Sequence, residues 1–412
     1  DPRVTNPELF DLANSDAPIP QFVNAMNAKG LNLDPQRVLE NIRFESNGKY
    51  VYVRTSGTGN EFSDGICLIM AKLLLPEGWK WGIAKAGEYW QSFGKYVGLY
   101  MNGDETKTPP FPTLATKYFG QGGVLALSGQ VRPGPDIEER TPANSASVRS
   151  FRMAKEADMA LLFHYVAEPG KYPNYVTRDN VDQWLHDRLS EIVAVEKQYK
   201  SSYPIFLEYN EPWEPTTAHW WNHEREPLRE RYGDRYLEMF MYQTLKVFID
   251  GGYAPNKDFI IVINDDTSPL IPSKAEKIRQ VLISAKENAF NQLWSDERYK
   301  EQLLSAGISS FTDLHFLLGL QMNKRETSPE RLTQLLETFS DLDLLLTEIV
   351  LFGNDDFQKA ILIREYIELI KSRSKVRGFL FFSVFSGDAL YPQTSFFDDQ
   401  SSPNFLYYQL LR

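Results

Sequence analysis

Apolar residues fall into short, nearly continuous runs that recur from about Trp79 onward. Runs of this kind are typical of strands that are buried on both faces of a sheet. Most consecutive runs are separated by stretches with helical periodicity, of which residues 178–200, 226–249 and 357–373 are the clearest. The runs cover residues 79–87, 122–130, 158–166, 203–212, 258–266, 313–321, 342–350 and 378–386.

This repeated alternation of strand and helix predicts an α/β fold, a closed (β/α)8 TIM barrel over residues 79–412. An open, doubly wound sheet shares the alternation, but no glycine-rich phosphate loop follows the first run. The first two connections are less clearly helical than the later ones. Because the phosphate loop of the open sheet is missing, we nevertheless expect the barrel.

Residues 1–78 do not follow the same alternation. Helical patterns cover residues 6–12 and 19–30, and strand-like patterns cover residues 49–57 and 65–75. We predict an N-terminal α+β extension, a small unit packed on the barrel.

Composition narrows the class of ligand. The net charge is −11, which argues against nucleic acid or an anionic membrane as a partner. Aromatic residues make up 13% of the chain. An acidic, aromatic-rich protein suits a neutral sugar, because rings stack on sugar faces and carboxylates accept hydrogen bonds from hydroxyls.

Cysteine content and the chain start bear on location. Cys67 is the single cysteine, so neither an internal disulfide nor a cysteine metal cluster forms. No apolar run approaches the ~20 residues that span a bilayer. The chain opens on Asp1 rather than Met, which agrees with a processed product. We expect an extracellular or periplasmic protein whose export signal has been removed.

Two carboxylates end predicted strands of the barrel. Asn210 and Glu211 end the fourth strand and Glu348 ends the seventh. Catalytic groups of TIM barrels lie at this end of the strands. Two carboxyl groups about 5–5.5 Å apart serve retaining glycoside hydrolysis, one as acid and one as nucleophile. His164, Asn264-Asp265 and Gln321 end the third, fifth and sixth strands in the same way.

At these residues the chain resembles glycoside hydrolases of family 10, xylanases with catalytic glutamates on the fourth and seventh strands. The resemblance covers roughly residues 79–412. Its six motifs occur in the family's order: "ALLFHYVAEPGKYP" (160–173), "YNEP" (209–212), "IVINDD" (261–266), "LLGLQMNK" (317–324), "LLLTEIV" (344–350), and "FLFFSVFSGDALY" (379–391) followed by "SFFDDQSSPNFLYYQLL" (395–411).

The resemblance implies a role for each matching residue. Glu211 is expected to be the acid/base and Glu348 the nucleophile. Asn210 is expected to bind the 2-hydroxyl of the sugar being cleaved, and His164 another hydroxyl at that subsite. Gln321 is expected to orient the nucleophilic side.

The chain departs from the family where the glycone sugars bind. "LSGQVR" stands where the family has a strand-two lysine motif, with Arg132 as a replacement cation. Asn323 replaces a histidine, and Phe382-Ser383 replace Trp-Gly. New stacking platforms can come from the rings of Tyr165, Trp213, Trp220 and Trp221.

Each assignment has a structural alternative. Glu348 alone reads as a rim salt bridge, and His164 alone as a core histidine. His219 and His223 have the spacing of metal ligands, but "HWWNH" lacks the glutamate of a zinc hydrolase. We therefore expect no catalytic metal and no cofactor.

The sequence leaves three functions open. The leading one is a monomeric endo-β-1,4-xylanase that works on polysaccharide by double displacement. The second is the same chemistry on another β-glucan, of the cellulose or mixed-linkage type. The third is a barrel that binds polysaccharide without cleaving it, although binding alone would not need Asn210, Glu211 and Glu348 together.

Overall fold

The computed structural model describes part of the chain. The described residues are 42–46, 51–55, 85–102, 116–128, 146–213, 226–265, 272–322, 328–351, 356–382, 396 and 405–411. The chain divides into two compact units, Asp1–Ala84 with Arg412 and Lys85–Leu411. In the first unit, β1 (Ile42–Ser46) and β2 (Val51–Thr55) pair antiparallel.

The second unit contains a closed barrel of parallel strands in the order β10-β3-β4-β5-β6-β7-β8-β9. Four of these strands, β5, β6, β7 and β9, are buried along their whole length, as their continuous apolar runs predict. The strand bounds are β3 (Tyr96–Asn102), β4 (Val124–Ser128), β5 (Ala160–Ala167), β6 (Ile205–Asn210), β7 (Phe259–Asp265), β8 (Phe316–Gln321), β9 (Asp343–Ile349) and β10 (Val376–Phe381).

Helices connect these strands, and the sequence determines where several of them begin. Ser328 accepts a hydrogen bond from the Arg331 backbone at the start of α8, and Pro329 follows in the first turn. None of the described helices is long and apolar enough to cross a bilayer. The helix bounds are α1 (Ala86–Gln91), α2 (Ala146–Ala157), α3 (Val181–Tyr199), α4 (Pro227–Tyr232), α5 (Tyr236–Asp250), α6 (Pro272–Trp294), α7 (Glu297–Ser305), α8 (Pro329–Thr338), α9 (Asp356–Ser372) and α10 (Phe405–Gln409).

The barrel interior is a packed core. Leu162, Phe206, Val262, Leu345 and Leu380 belong to one buried cluster contributed by several strands. Side chains alternate between the two faces of a strand, so the polar residues two positions further along these strands share the interior face. Above the apolar layers, the barrel interior is therefore lined by His164, Glu208, Asn264, Thr347 and Phe382.

The predicted (β/α)8 barrel is confirmed, with one error in its strands. The run 79–87 was expected to be the first strand, but residues 86–91 form α1 and the first barrel strand is β3. Residues 79–84 lie outside the described part of the chain, and the end of the run, Ala86 and Gly87, belongs to the buried side of α1. In the N-terminal unit, the strand expected within residues 49–57 is β2. The expected elements at residues 6–12, 19–30 and 65–75 lie outside the described residues.

Candidate active site

Glu211 and Glu348 both lie at the carboxyl end of the barrel. Glu211 directly follows β6, and Glu348 is the penultimate residue of β9. Glu348 is 8% exposed and Glu211 is half-buried. Both have left-handed backbone conformations, with φ of 48° at Glu211 and 51° at Glu348. This conformation is uncommon for residues other than glycine and concentrates at functional positions.

A buried hydrogen-bond network connects the strands that precede the two glutamates. Thr347 Oγ1 donates to Asn264 Oδ1 at 2.6 Å, and Asn264 Nδ2 donates to Asn210 Oδ1 at 3.0 Å. Gln321 Nε2 donates to the same Asn210 oxygen at 3.1 Å. Since both donors fall on this oxygen, Asn210 keeps its amide N–H groups for other partners.

Gln321 also lies beside one of the glutamates. Its Nε2 donates to Glu211 Oε1 at 3.3 Å. The expectation placed Gln321 on the nucleophilic side, whereas this contact is to the residue assigned as acid/base. A role of Gln321 toward Glu348 stays a prediction.

Backbone contacts hold the Glu211–Trp213 segment on two sides. On one side, the Glu211 amide donates to Asn264 O at 2.7 Å and the Trp213 amide to Asp265 Oδ2 at 3.0 Å. On the other, Pro212 O accepts from Arg229 Nη2 at 2.8 Å and from Tyr236 Oη at 3.0 Å. The backbone that carries Glu211 is therefore anchored by β7 and by α4 and α5.

His164 was expected at the end of the third barrel strand, but it lies inside β5, which continues to Ala167. It pairs with a carboxylate inside the barrel. Its Nδ1 is 2.7 Å from Oε2 of Glu208, which is completely buried. Burial alone would lower the pKa of His164. The attraction and hydrogen bond of Glu208, with the charges of Glu348 and Glu168, outweigh that effect and raise the pKa to about 9.

Two further ionisable groups face this region. Burial raises the pKa of Glu168. Hydrogen bonds from Tyr165 and Asn210 and the charges of His164 and Lys171 partly oppose this increase. Burial also raises the pKa of Tyr100 well above its usual value, and the carboxylates of Glu208 and Glu348 add to the increase. Asn210 thus contacts Glu168 in addition to its partners on β7 and β8.

The expected aromatic platforms have different environments. Phe382 is half-buried and packs 5.5 Å from Tyr100, measured between ring centroids. Trp213 is half-buried at the end of β6. Tyr165 is only 6% exposed, which leaves its ring little surface for a sugar. Arg132, Asn323, Ser383, Trp220, Trp221, His219 and His223 lie outside the described residues.

Sequence reasoning missed four residues of this site: Tyr100, Glu168, Glu208 and Thr347. A signal for Glu208 was present, because it is two residues before Asn210 and therefore shares its face of β6. Within the described ranges, no group of three or more His, Cys, Asp or Glu side chains is arranged to hold a metal ion.

Comparison with known proteins identifies the fold. No model of a protein family matches the sequence, and no curated protein matches it either. Among solved structures, the chain is similar to xylanase 10B from Thermotoga petrophila RKU-1 in complex with xylobiose, with 17% identity, a TM-score of 0.56, and coverage of 81% of this chain and 97% of that one.

Two other xylanase structures give a similar result. A psychrophilic family 10 endo-β-1,4-xylanase has 12% identity and a TM-score of 0.54, over 80% of this chain and 99% of its own. The family 10 xylanase of Bispora sp. MEY-1 with xylobiose has 11% identity and the same TM-score of 0.54, over 80% and 99%. The resemblance drawn from the motifs is thus confirmed at the level of structure: the chain has the barrel fold of the family 10 xylanases, in a strongly divergent sequence.

Proposed function

We propose that the barrel is a retaining glycoside hydrolase that cleaves β-1,4-linked polysaccharide, with xylan as its main substrate. The observation that carries this proposal is the placement of Glu211 and Glu348 at the carboxyl ends of the fourth and seventh barrel strands, each in a left-handed backbone conformation. A pair of carboxyl groups at this end of a TIM barrel is what double displacement at a sugar carbon requires.

In the first step, the carboxylate of Glu348 attacks the anomeric carbon of the sugar. The bond from that carbon to the glycosidic oxygen breaks, and Glu211 gives its proton to the departing oxygen. The products are a covalent glycosyl ester on Glu348 and a shortened chain with a free hydroxyl group.

In the second step, Glu211 is ionised and removes a proton from water. The water oxygen attacks the anomeric carbon from the face that the leaving group vacated, and the ester bond to Glu348 breaks. Two inversions restore the original configuration, and Glu211 regains its proton.

Three neighbours support these steps. Asn210 Oδ1 accepts from Asn264 and Gln321, so its amide N–H groups serve its contact with Glu168 and, in this proposal, the 2-hydroxyl of the reacting sugar. His164 binds a second hydroxyl group. Gln321 contacts Glu211 and limits its rotation.

Xylan is the proposed substrate because the three solved structures compared above are named as xylanases, two of them with bound xylobiose. A polymeric substrate also favours action outside the cytoplasm, in the extracellular or periplasmic space. The purified protein should release reducing sugar from xylan faster than from cellulose, mixed-linkage glucan or mannan. Preference for a glucan would change the substrate, and no release from any polymer would remove the enzyme assignment.

Variants of the two glutamates test the mechanism. Glu348→Ala should lose several orders of magnitude in activity, as expected when one member of an interdependent catalytic group is removed. Glu211→Ala should lose about 10²–10⁴-fold on polysaccharide but keep its first step on an activated aryl glycoside, which needs little protonation. Glu191→Ala alters an exposed carboxyl on α3 and serves as the control.

Azide separates the two roles. It should restore turnover of Glu211→Ala on the aryl glycoside with retained configuration, and it should give an inverted product with Glu348→Ala. Mild and equal losses in both variants would contradict the glycosidase proposal. An inverted product from the wild type would keep the enzyme but exclude Glu348 as nucleophile, as would carboxyl groups about 9 Å apart in a crystal structure.

A further inference from the structure

Glu208 is a carboxylate inside the barrel that the proposed mechanism does not use. It has no solvent exposure, and its Oε2 lies 2.7 Å from Nδ1 of His164. Among the described residues, its other oxygen, Oε1, has no hydrogen-bond partner. The His164 ring is therefore the main polar neighbour of this side chain.

A buried carboxylate is strongly destabilising unless a cation or several donors compensate its charge. His164 is the side chain in hydrogen-bond contact that can supply a positive charge to Glu208. A short contact between an imidazole nitrogen and a carboxylate oxygen is typical of a charge-assisted hydrogen bond. The geometry therefore favours a pair of ions over a pair of neutral groups.

Other negative groups surround the same ring from separate elements. Glu348 on β9 and Glu168 after β5 both act on His164, and Lys171 partly offsets the charge of Glu168. Tyr100 on β3 presents its ring edge-on to the imidazole, with centroids 5.4 Å apart, and Tyr165 lies at 5.3 Å. Neither tyrosine ring carries a positive charge, so the charges facing the imidazole are predominantly negative.

We propose that Glu208 is a positioning residue that keeps His164 as an imidazolium, so that its Nε2–H is a charged donor to a sugar hydroxyl beside ionised Glu348. This inference rests on the proposed function and deepens it. It assigns a role to a residue on the floor of the site, out of reach of the sugar.

The protonation state decides which kind of contact His164 can make. In a neutral ring whose Nδ1–H donates to Glu208, Nε2 is only an acceptor. In the imidazolium, both nitrogens donate. Among the described residues, the ring nitrogen of His164 that contacts a carboxylate is Nδ1, whose partner is Glu208. The other ring nitrogen, Nε2, is therefore the one that can bind a substrate. Protonation therefore reverses the direction of the hydrogen bond to the sugar.

A positive ring also acts on the nucleophile. Glu348 must be ionised to attack, and an adjacent cation stabilises the ionised form. Glu348 is only 8% exposed, and such burial would otherwise favour the neutral acid. Glu208 thus supports Glu348 through His164, without contacting the substrate.

Nitrogen-15 NMR of the imidazole rings tests the charge directly. The chain has five histidines, and the His164 signal is identified by its loss in His164→Gln. In the wild type we expect the imidazolium pattern to persist to about pH 9, in line with the raised pKa of the ring. In Glu208→Gln the ring should titrate roughly one to three pH units lower, as expected when an adjacent opposite charge is removed.

Kinetics test the consequence. Glu208→Gln should reduce kcat/KM by roughly 10- to 100-fold, the equivalent of one hydrogen bond to a charged group. The loss should grow toward alkaline pH, where the variant's His164 is neutral. His164→Gln/Glu208→Gln should be no worse than His164→Gln alone, because Glu208 acts through the ring. Glu196→Gln, another buried carboxyl but on α3, is the matched control and should change neither readout.

The outcomes separate this inference from the proposed function. A neutral His164 at pH 7 in an active wild type overturns the inference alone, as does additive loss in the double variant. An inactive wild type overturns the proposed function and with it the reaction role of Glu208. If Glu208→Gln does not fold, the wild-type titration still decides the charge, and Glu208→Asp, which keeps the carboxylate, should retain the imidazolium.

Discussion

Thr347 donates a 2.6 Å hydrogen bond to Asn264, and this bond helps to link the residues that precede Glu211 and Glu348. Thr347 precedes Glu348 in the chain, and Asn264 passes the connection to Asn210, which precedes Glu211. The side chains before each glutamate thus belong to one buried network. Displacement of any member should alter both carboxyl groups together.

Thr347→Val tests this network. The change keeps the volume nearly constant but removes the donor to Asn264, which leaves a buried oxygen with one partner fewer. We expect the free energy of unfolding to fall by about 1–3 kcal/mol and kcat/KM to decrease with it. Thr347→Ser keeps the hydroxyl and should stay near the wild type in denaturant unfolding and in kinetics. Equal losses in both variants would show that the hydroxyl is not the cause.

Gly319→Ala tests the space around Asn264. A Cβ at residue 319 would lie 2.4 Å from Asn264 Oδ1 and 3.0 Å from its Cα, so the asparagine must move. We expect about 1–3 kcal/mol of lost stability, typical of overpacking, together with a clear fall in activity. Gly94→Ala, at a φ of 66° with open space around it, should lose stability but keep activity. Full activity in Gly319→Ala would contradict a role of Asn264 in orienting Asn210.

Arg229→Met tests the outer anchor of the Glu211 segment. The variant removes one of the two donors to Pro212 O and keeps much of the side-chain volume. We expect kcat to fall by roughly tenfold, the equivalent of about 1.4 kcal/mol, with a smaller change in KM, because Glu211, the proposed acid/base, is less well held. The control is Arg231→Met. Arg231 lies on the same helix, but its side chain donates to Arg178 O and Asp179 O instead of Pro212 O. Similar kinetics in both variants would exclude the Pro212 contact as the cause.

Glu226→Gln tests a pH dependence of stability. Burial raises the pKa of Glu226 to about 7, while its Oε1 accepts hydrogen bonds from Tyr172 and the Leu228 backbone. The folded state therefore binds this proton more tightly than the unfolded chain, whose glutamate pKa is about 4.3. Stability contributed by this proton is complete below about pH 4 and is lost as the pH rises to about 7.

The glutamine variant should not show that decline. It carries no ionisable group at residue 226, so its free energy of unfolding at pH 8 should exceed that of the wild type by about 2–3 kcal/mol. Glu287→Gln alters an exposed carboxyl on α6 and should leave the curve unchanged in shape. Parallel pH curves for the wild type and Glu226→Gln would refute the buried proton.

Most of the barrel could be predicted because its strands are buried on both faces and are therefore nearly uninterrupted in the sequence. The exception is β3, "YVGLYMN", whose residues include two tyrosines, a glycine and an asparagine. The run at residues 79–87 also contains several apolar residues and comes earlier in the chain, but only its last two residues belong to a described element, the helix α1. Short apolar runs do not distinguish a strand from the buried side of a helix, because both hide the same residue types.

The residues of the candidate site that could be predicted are polar residues at or near the end of an apolar run. Glu211, Gln321 and Glu348 lie at such ends, and His164 was found although β5 continues to Ala167. Glu208 and Thr347 lie inside strands that are buried on both faces. The spacing from Asn210 indicates the face of Glu208, but the apolar pattern alone does not show which face of such a strand points into the barrel. Register between strands decides this, and Asn210 opposite Asn264 is a pairing that only the structure reveals.

The left-handed backbone of Glu211 and Glu348 has an evolutionary consequence. Glycine adopts such a conformation freely, whereas other residues pay of order 1–3 kcal/mol for it. A glutamate codon becomes a glycine codon by one nucleotide change, which would relax the backbone and erase the carboxylate at once. Under selection for stability alone, each position has a one-step route to an inactive barrel. Glutamate at both positions in spite of this cost is what the proposed catalytic role of the two carboxylates would require.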